Sequence, residues 1–211
     1  MLKQKRKNEL RTMVSDLKKS LPNPKPIDNG FLEKSFINND YISIVKYMKQ
    51  HMSVLFRISI KYYSEATPPA HGDKKGCTVP AQVSIPASLP PYGKMQENIS
   101  IVLSLYGKSE AFRSFHSTIM AISHEFAHIV LHGINHRLQH SEEATDIAAI
   151  LLGYSKYYES GHTSYVEEGW SKLSYLTFEE VIFVAELADG TYKDETIVGK
   201  AKNWFKNIIG T

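Results

Sequence analysis

The sequence predicts an α+β fold, with a small sheet in its first half and helices in its second. Two patterns carry that expectation. Three short segments before residue 108 place apolar side chains at every second position, the period of a half-buried strand. From Ser109 onward the apolar residues recur at helical spacing, interrupted by turns expected near Gly133, Gly161 and Gly190. At 211 residues and 42% hydrophobic content the chain can bury an ordinary core without staples. Its single cysteine allows no disulfide framework within the chain. The basic start MLKQKRKNELR has no apolar stretch behind it of the kind a secretory signal needs, and no run approaches a membrane span. The expectation is a soluble, cytoplasmic protein with no membrane partner.

The net charge of +3 is unevenly placed, because residues 1–25 hold eight Lys or Arg against two acids. Leu10, Met13, Val14 and Leu17 recur at near-helical spacing there, so this basic arm reads as a docking helix, a DNA contact or a solvated helix face. Pro22, Pro24 and Pro26 then break any helix and mark a linker. Residues 38–52 read as an amphipathic helix capped by Asn39 or Asp40. Phe56, Ile58, Ile60 and Tyr62 alternate with Arg57, Ser59 and Lys61 in a first strand. AQVSI gives a short second strand, and Ile99, Ile101, Leu103 and Leu105 align in a third. Thr177 and Glu180 form a capping box ahead of a late helix, and Trp204, Phe205, Ile208 and Ile209 read as packing residues. The expected division is an arm and linker over 1–37, a main domain over 38–160 and a helical extension over 161–211.

The chemistry lies in ISHEFAHIVLHG. His124, Glu125 and His128 form an HExxH pattern, and on a helix of 3.6 residues per turn positions four apart stand one above the other. Both imidazoles can therefore reach one Zn²⁺, with Glu125 beside them to hold and deprotonate a water. Phe115, Ile119, Ile122, Phe126, Val130 and Leu131 make the helix a packed one. The longer HExxHxxGxxH pattern is absent, since Leu131 and Ile134 stand where its glycine and third histidine would fall. His132 lies about 12 Å along the axis from His124, too far to share an ion in a straight helix.

A third ligand is expected from SEEATDIAAILLG. With Ser141 as N-cap, Glu142 and Asp146 share one helical face, opposite Ala144, Ile147, Ala148, Leu151 and Leu152. Glu142 can then reach a metal while Asp146 accepts the N–H of a ligating histidine. Glu143 is the competing ligand; Glu142 is favoured because only it shares a face with Asp146.

HEFAHIVLH followed by EEATDIAAILLG resembles the ImmA/IrrE family of gluzincin-like zinc metallopeptidases, whose patterns are HELxHxxLH and ExEANxFAAxLLMP. The resemblance spans residues 40–160 and is strongest over 118–153; Thr145, Ile147 and Gly153-Tyr154 depart from the family's Asn, Phe and Met-Pro. It implies a zincin-like fold, bound zinc and endopeptidase activity on a protein partner, commonly a helix-turn-helix repressor of stress or mobile-element genes. The CapP branch, which regulates anti-phage (CBASS) operons, links such activity to DNA signals and to a cysteine that can occupy the zinc. By that resemblance Cys77, in KKGCTVPA, would be a fourth ligand holding the enzyme latent; otherwise it is an ordinary loop or core thiol. A peptidase also needs a donor for the developing oxyanion, and Tyr154, Tyr157, Tyr158, His162 and Tyr165 are the candidates. Two rival functions stay open: a zinc-bearing or inactive module that sequesters a regulatory partner, and a DNA-responsive sensor.

Overall fold

The computed structural model describes residues 2–63, 81–86, 89, 91, 96–106, 114–167 and 174–192. Within them the chain is mixed α and β, as the two periodicities require. Helices α1 (Gln4–Lys18), α2 (Asn29–Ile37) and α3 (Tyr41–His51) precede the strands β1 (Phe56–Tyr63), β2 (Ala81–Ser84) and β3 (Gln96–Tyr106). Helices α4 (Phe115–Gly133), α5 (Glu142–Ala149), α6 (Ser155–Glu167) and α7 (Phe178–Asp189) follow.

The three expected strands form one sheet in the order β1-β3-β2. β3 is central, parallel to β1 and antiparallel to β2, with Ile58 opposite Ile101 and Val83 opposite Leu103. The alternation seen in the sequence becomes a buried face of Phe56, Ala81, Ile101, Leu103 and Leu105. α4 packs beside β2 and carries Ile119, Ile122, Phe126 and Val130 into the same core. Its first described turn is at Phe115, six residues beyond Ser109; residues 107–113 lie outside the described residues.

Local chemistry explains most helix boundaries. Asp40 caps α3 by accepting from the Ser43 N–H, Asp28 caps α2 through Phe31, and Ser141 caps α5 through Ala144. The Thr177–Glu180 capping box starts α7, and Gly190, at φ 70°, ends it in the left-handed conformation. α5 ends in a kinked stretch, Ile150–Tyr154, where Gly153 takes φ 103°. A side chain there would be strained, and its Cβ would also lie 3.5 Å from Pro24.

Two expectations are corrected. Gly161 forms no turn; it lies inside α6, where a Cβ would come within 3.2 Å of the His116 and Ser117 backbone. Its lack of a side chain serves close packing of α6 on α4. The proline-rich linker gives way to helix α2 from Asn29, because Asp28 supplies a cap that the prolines upstream do not disturb.

The basic N-terminal segment is a packed helix. Leu10, Val14 and Leu17 are buried against α5 and α7 in the same core as the sheet. Several of its cations turn inward: Arg6 onto Glu143 and Glu180, Arg11 over the Phe183 and Tyr192 rings, and Lys18 onto the Leu187 and Ala188 carbonyls that end α7. Among the described residues no helix is long and apolar enough to cross a membrane. Leu10→Ala is therefore expected to destabilise the fold by about 2–5 kcal/mol, against about 0.5 kcal/mol or less for exposed Lys3→Ala. Urea unfolding of both variants checks this; equal, small effects would place α1 outside the core.

Candidate metal centre

The HExxH helix presents its two histidines as the helical repeat requires. His124 and His128 meet edge to face, and their Nε2 atoms are 3.1 Å apart. α5 crosses close by and delivers Glu142, whose Oε2 lies 3.1 Å from His124 Nε2 and 3.2 Å from His128 Nε2. Three potential ligand atoms thus mark a nearly equilateral triangle. Around a tetrahedral zinc, with bonds of about 2.0–2.2 Å, neighbouring nitrogen and oxygen ligands stand about 3.3–3.6 Å apart. The triangle is close to that size.

Proton accounting sharpens the fit. Asp146 can only accept, so His124 Nδ1 donates to Asp146 Oδ1 across 2.7 Å and the neutral ring presents a lone pair at Nε2. The Thr145 hydroxyl spends its hydrogen on the Ser141 carbonyl at 3.0 Å, so its oxygen accepts from His128 Nδ1 at 3.3 Å. His128 then also turns a lone pair at Nε2 to the centre. Two imidazole lone pairs and a carboxylate oxygen converge with no hydrogen between them, and only a cation relieves that repulsion. Without a metal the cation is a proton. Burial works against a charged His124, but Asp146 and Glu142 outweigh it and push the imidazole up to about 10. In that protonated, metal-free state, hydrogen bonds from the imidazoles hold the Glu142 carboxyl far below its ordinary range.

Asp146 is wholly buried and fully used. Oδ1 takes His124 and the Tyr158 hydroxyl at 2.9 Å; Oδ2 takes the Ser174 hydroxyl at 2.9 Å and the Tyr175 N–H at 2.7 Å. Burial, and then the charge of Asp146, raise the Tyr158 phenol well above its usual value, which keeps it a donor. The Tyr175 ring stacks on His124 with centroids 5.9 Å apart and remains 46% exposed, so it borders the centre on the solvent side. Glu125 is buried, and that burial pushes its carboxyl up. Its Oε2 accepts the N–H of Val83, on the edge strand, at 2.7 Å.

Of the residues singled out from the sequence, the structure brings together His124, His128, Glu142, Glu125 and Asp146. Glu143 is turned away, 3.0 Å from Arg6. Tyr154 and Tyr157 are corrected as oxyanion donors: they face α2 and α3, where the Tyr154 hydroxyl meets His51 at 3.0 Å and that of Tyr157 is bonded to Asn29. Tyr158 is spent on Asp146. His132 stacks edge to face with His140 instead of approaching the triangle. Position 162 falls within α6 rather than on a loop. The His162 and Tyr165 side chains, like Cys77, lie outside the described residues.

Thr145, Ser174 and Tyr175 were not anticipated. Thr145 had a signal, being one turn beyond the Ser141 cap and next to Asp146. Ser174 and Tyr175 had none, since they arrive from 28 and 29 residues downstream of Asp146.

The titration of His124 sets a pH dependence. Its folded value, about 10, lies above the roughly 6.5 of an unfolded imidazole, so in chelator-treated protein its stabilisation is complete below about pH 6.5 and is lost as pH rises through about 10. Urea unfolding across that window is expected to show the loss, and Asp146→Asn to flatten it. Asp146→Ala should also weaken metal affinity about 10–100-fold in chelator competition. Compared with known proteins, the chain matches no family model, no curated protein and no solved structure.

Proposed function

We propose that the protein is a zinc-dependent endopeptidase acting on a protein substrate. The observation that carries this reading is the convergence of two imidazole lone pairs and one carboxylate oxygen beside a buried, separately held glutamate. His124, His128 and Glu142 would hold the ion. Bound there, zinc would supply Lewis acidity, polarising a scissile carbonyl and making water easier to deprotonate at neutral pH.

The remaining work falls to the chain. Asp146 and Thr145 hold each imidazole in the tautomer that turns Nε2 inward. Glu125, raised by its burial towards the range of a useful base, takes the proton of the attacking water and passes it to the leaving amine. The Val83 N–H positions that carboxylate from β2, whose outer side carries no further strand among the described residues. An extended peptide pairing with this edge would be drawn past Glu125, the common way a sheet holds a strand-like ligand. Tyr175 covers one face of His124 and limits water on that side. The resemblance to ImmA/IrrE peptidases makes a helix-turn-helix repressor the substrate of choice, cleaved in a stress or anti-phage response.

The test uses purified protein, its zinc content, and a helix-turn-helix repressor supplied as the trial substrate. Glu125→Gln is expected to keep stoichiometric zinc while cleavage, followed by gel and mass spectrometry, falls about 10²–10⁴-fold. Glu142→Ala is expected to lose both. Repressor bound but uncut by wild-type and Glu125→Gln alike would instead identify a sequestering module.

A further inference from the structure

Arg6 stands between the start of α5, which carries Glu142, and the start of α7, whose preceding residues hold Asp146. Its Nη2 lies 3.0 Å from Glu143 Oε1, on the residue next to the candidate ligand Glu142. Its Nε lies 2.5 Å from Glu180 Oε1. Glu180 accepts the Thr177 N–H at 2.7 Å and so closes the capping box that starts α7. The residues just before that box are Ser174 and Tyr175, which hold Asp146 and through it His124.

One guanidinium thus touches both routes into the centre. We propose that Arg6 is a positioning residue of the metal centre, its fork tying the start of α5 to the start of α7 so that Glu142 faces the histidines and Glu143 does not. Arg6 reaches this point because it stands one turn before Leu10 on the face of α1 that Leu10, Val14 and Leu17 bury against α5 and α7. The junction is partly shielded: the side chains of Arg6 and Glu180 are 26% and 9% exposed. A planar fork can serve two carboxylates from different helices at once, whereas an ammonium offers a single point charge. Without it, Glu143 and Glu180 would face each other as like charges beside Glu142, pressing α5 and α7 apart. Glu143 would also be free to compete for the ion.

This inference rests on the metal centre proposed above, and the test separates the two. Zinc affinity is measured by competition with a chromophoric chelator, on full-length wild type, Arg6→Ala, Arg6→Lys, Arg6→Ala with Glu143→Gln, and Ile44→Ala. Each is paired with thermal unfolding of the metal-free form. Ile44 is buried in α3, away from the junction, and serves as the control for general destabilisation. Arg6→Ala is expected to weaken zinc binding about tenfold or more. Arg6→Lys should recover only part of the loss, as should Glu143→Gln added to Arg6→Ala, while Ile44→Ala lowers the melting temperature and leaves affinity unchanged. Should Arg6→Ala fail to fold, Arg6→Lys carries the same comparison. Unchanged affinity in the Arg6 variants, or a loss matched by Ile44→Ala at equal melting temperature, overturns the proposal. A wild type that binds no zinc removes the metal centre itself, and this inference with it.

Discussion

A carboxylate with no access to water must be repaid in hydrogen bonds, and Asp146 receives four. They come from α4, α6 and the segment leading into α7, while Asp146 itself stands on α5. An unpaired charge at that depth would cost several kcal/mol, so these elements cannot separate without exposing or protonating the group. The same four bonds that make the burial tolerable also orient His124. Structural and chemical demands therefore fall on one side chain, and the packing of four chain segments becomes a condition for the geometry of the centre.

The centre also depends on two helices with different tasks. α4 is buried along most of its length, with Ile119, Ile122, Phe126 and Val130 in the core, so its histidines stand on a stem that cannot rotate. α5 is short, capped by Ser141 at one end and broken at Gly153 beyond the other. Its register is set by that cap. A shift of one residue would exchange Glu142 for Glu143 and turn Asp146 out of its buried site. Arg6 opposes that shift from α1 by engaging Glu143, which gives the basic N-terminal helix a place in the architecture that its charge alone would not suggest.

Much of this was legible in the linear chain because it depends on short-range periodicity. Two histidines four apart, a glutamate and an aspartate four apart, a serine ahead of an acidic pair and a threonine three before a glutamate each have local physical meaning. The structure places all of them at matching positions. The tyrosines of YSKYYESGHTSY were harder to read. Their spacing is helical, but whether a phenol faces a metal, an aspartate or a distant asparagine depends on which neighbours surround that helix. Tyr154 and Tyr157 went to α3 and α2, and among the described side chains Tyr158 alone turned towards the centre. Gly161 looked like a turn because glycine permits one; close helix packing, which glycine also permits, was the use made of it.

What the amino-acid order determined by itself was the three strands, most of the helices, the caps that start α5 and α7, and the faces on which His124, His128, Glu142 and Asp146 lie, because helix and strand periods act over a few residues. What only the tertiary structure decided was the set of partners from far along the chain: Ser174 and Tyr175 on Asp146, Val83 on Glu125, and Arg6 between Glu143 and Glu180. Such contacts leave no local pattern. They exist because core packing carries segments separated by tens of residues to within hydrogen-bond distance, where the need to satisfy buried charge selects among them.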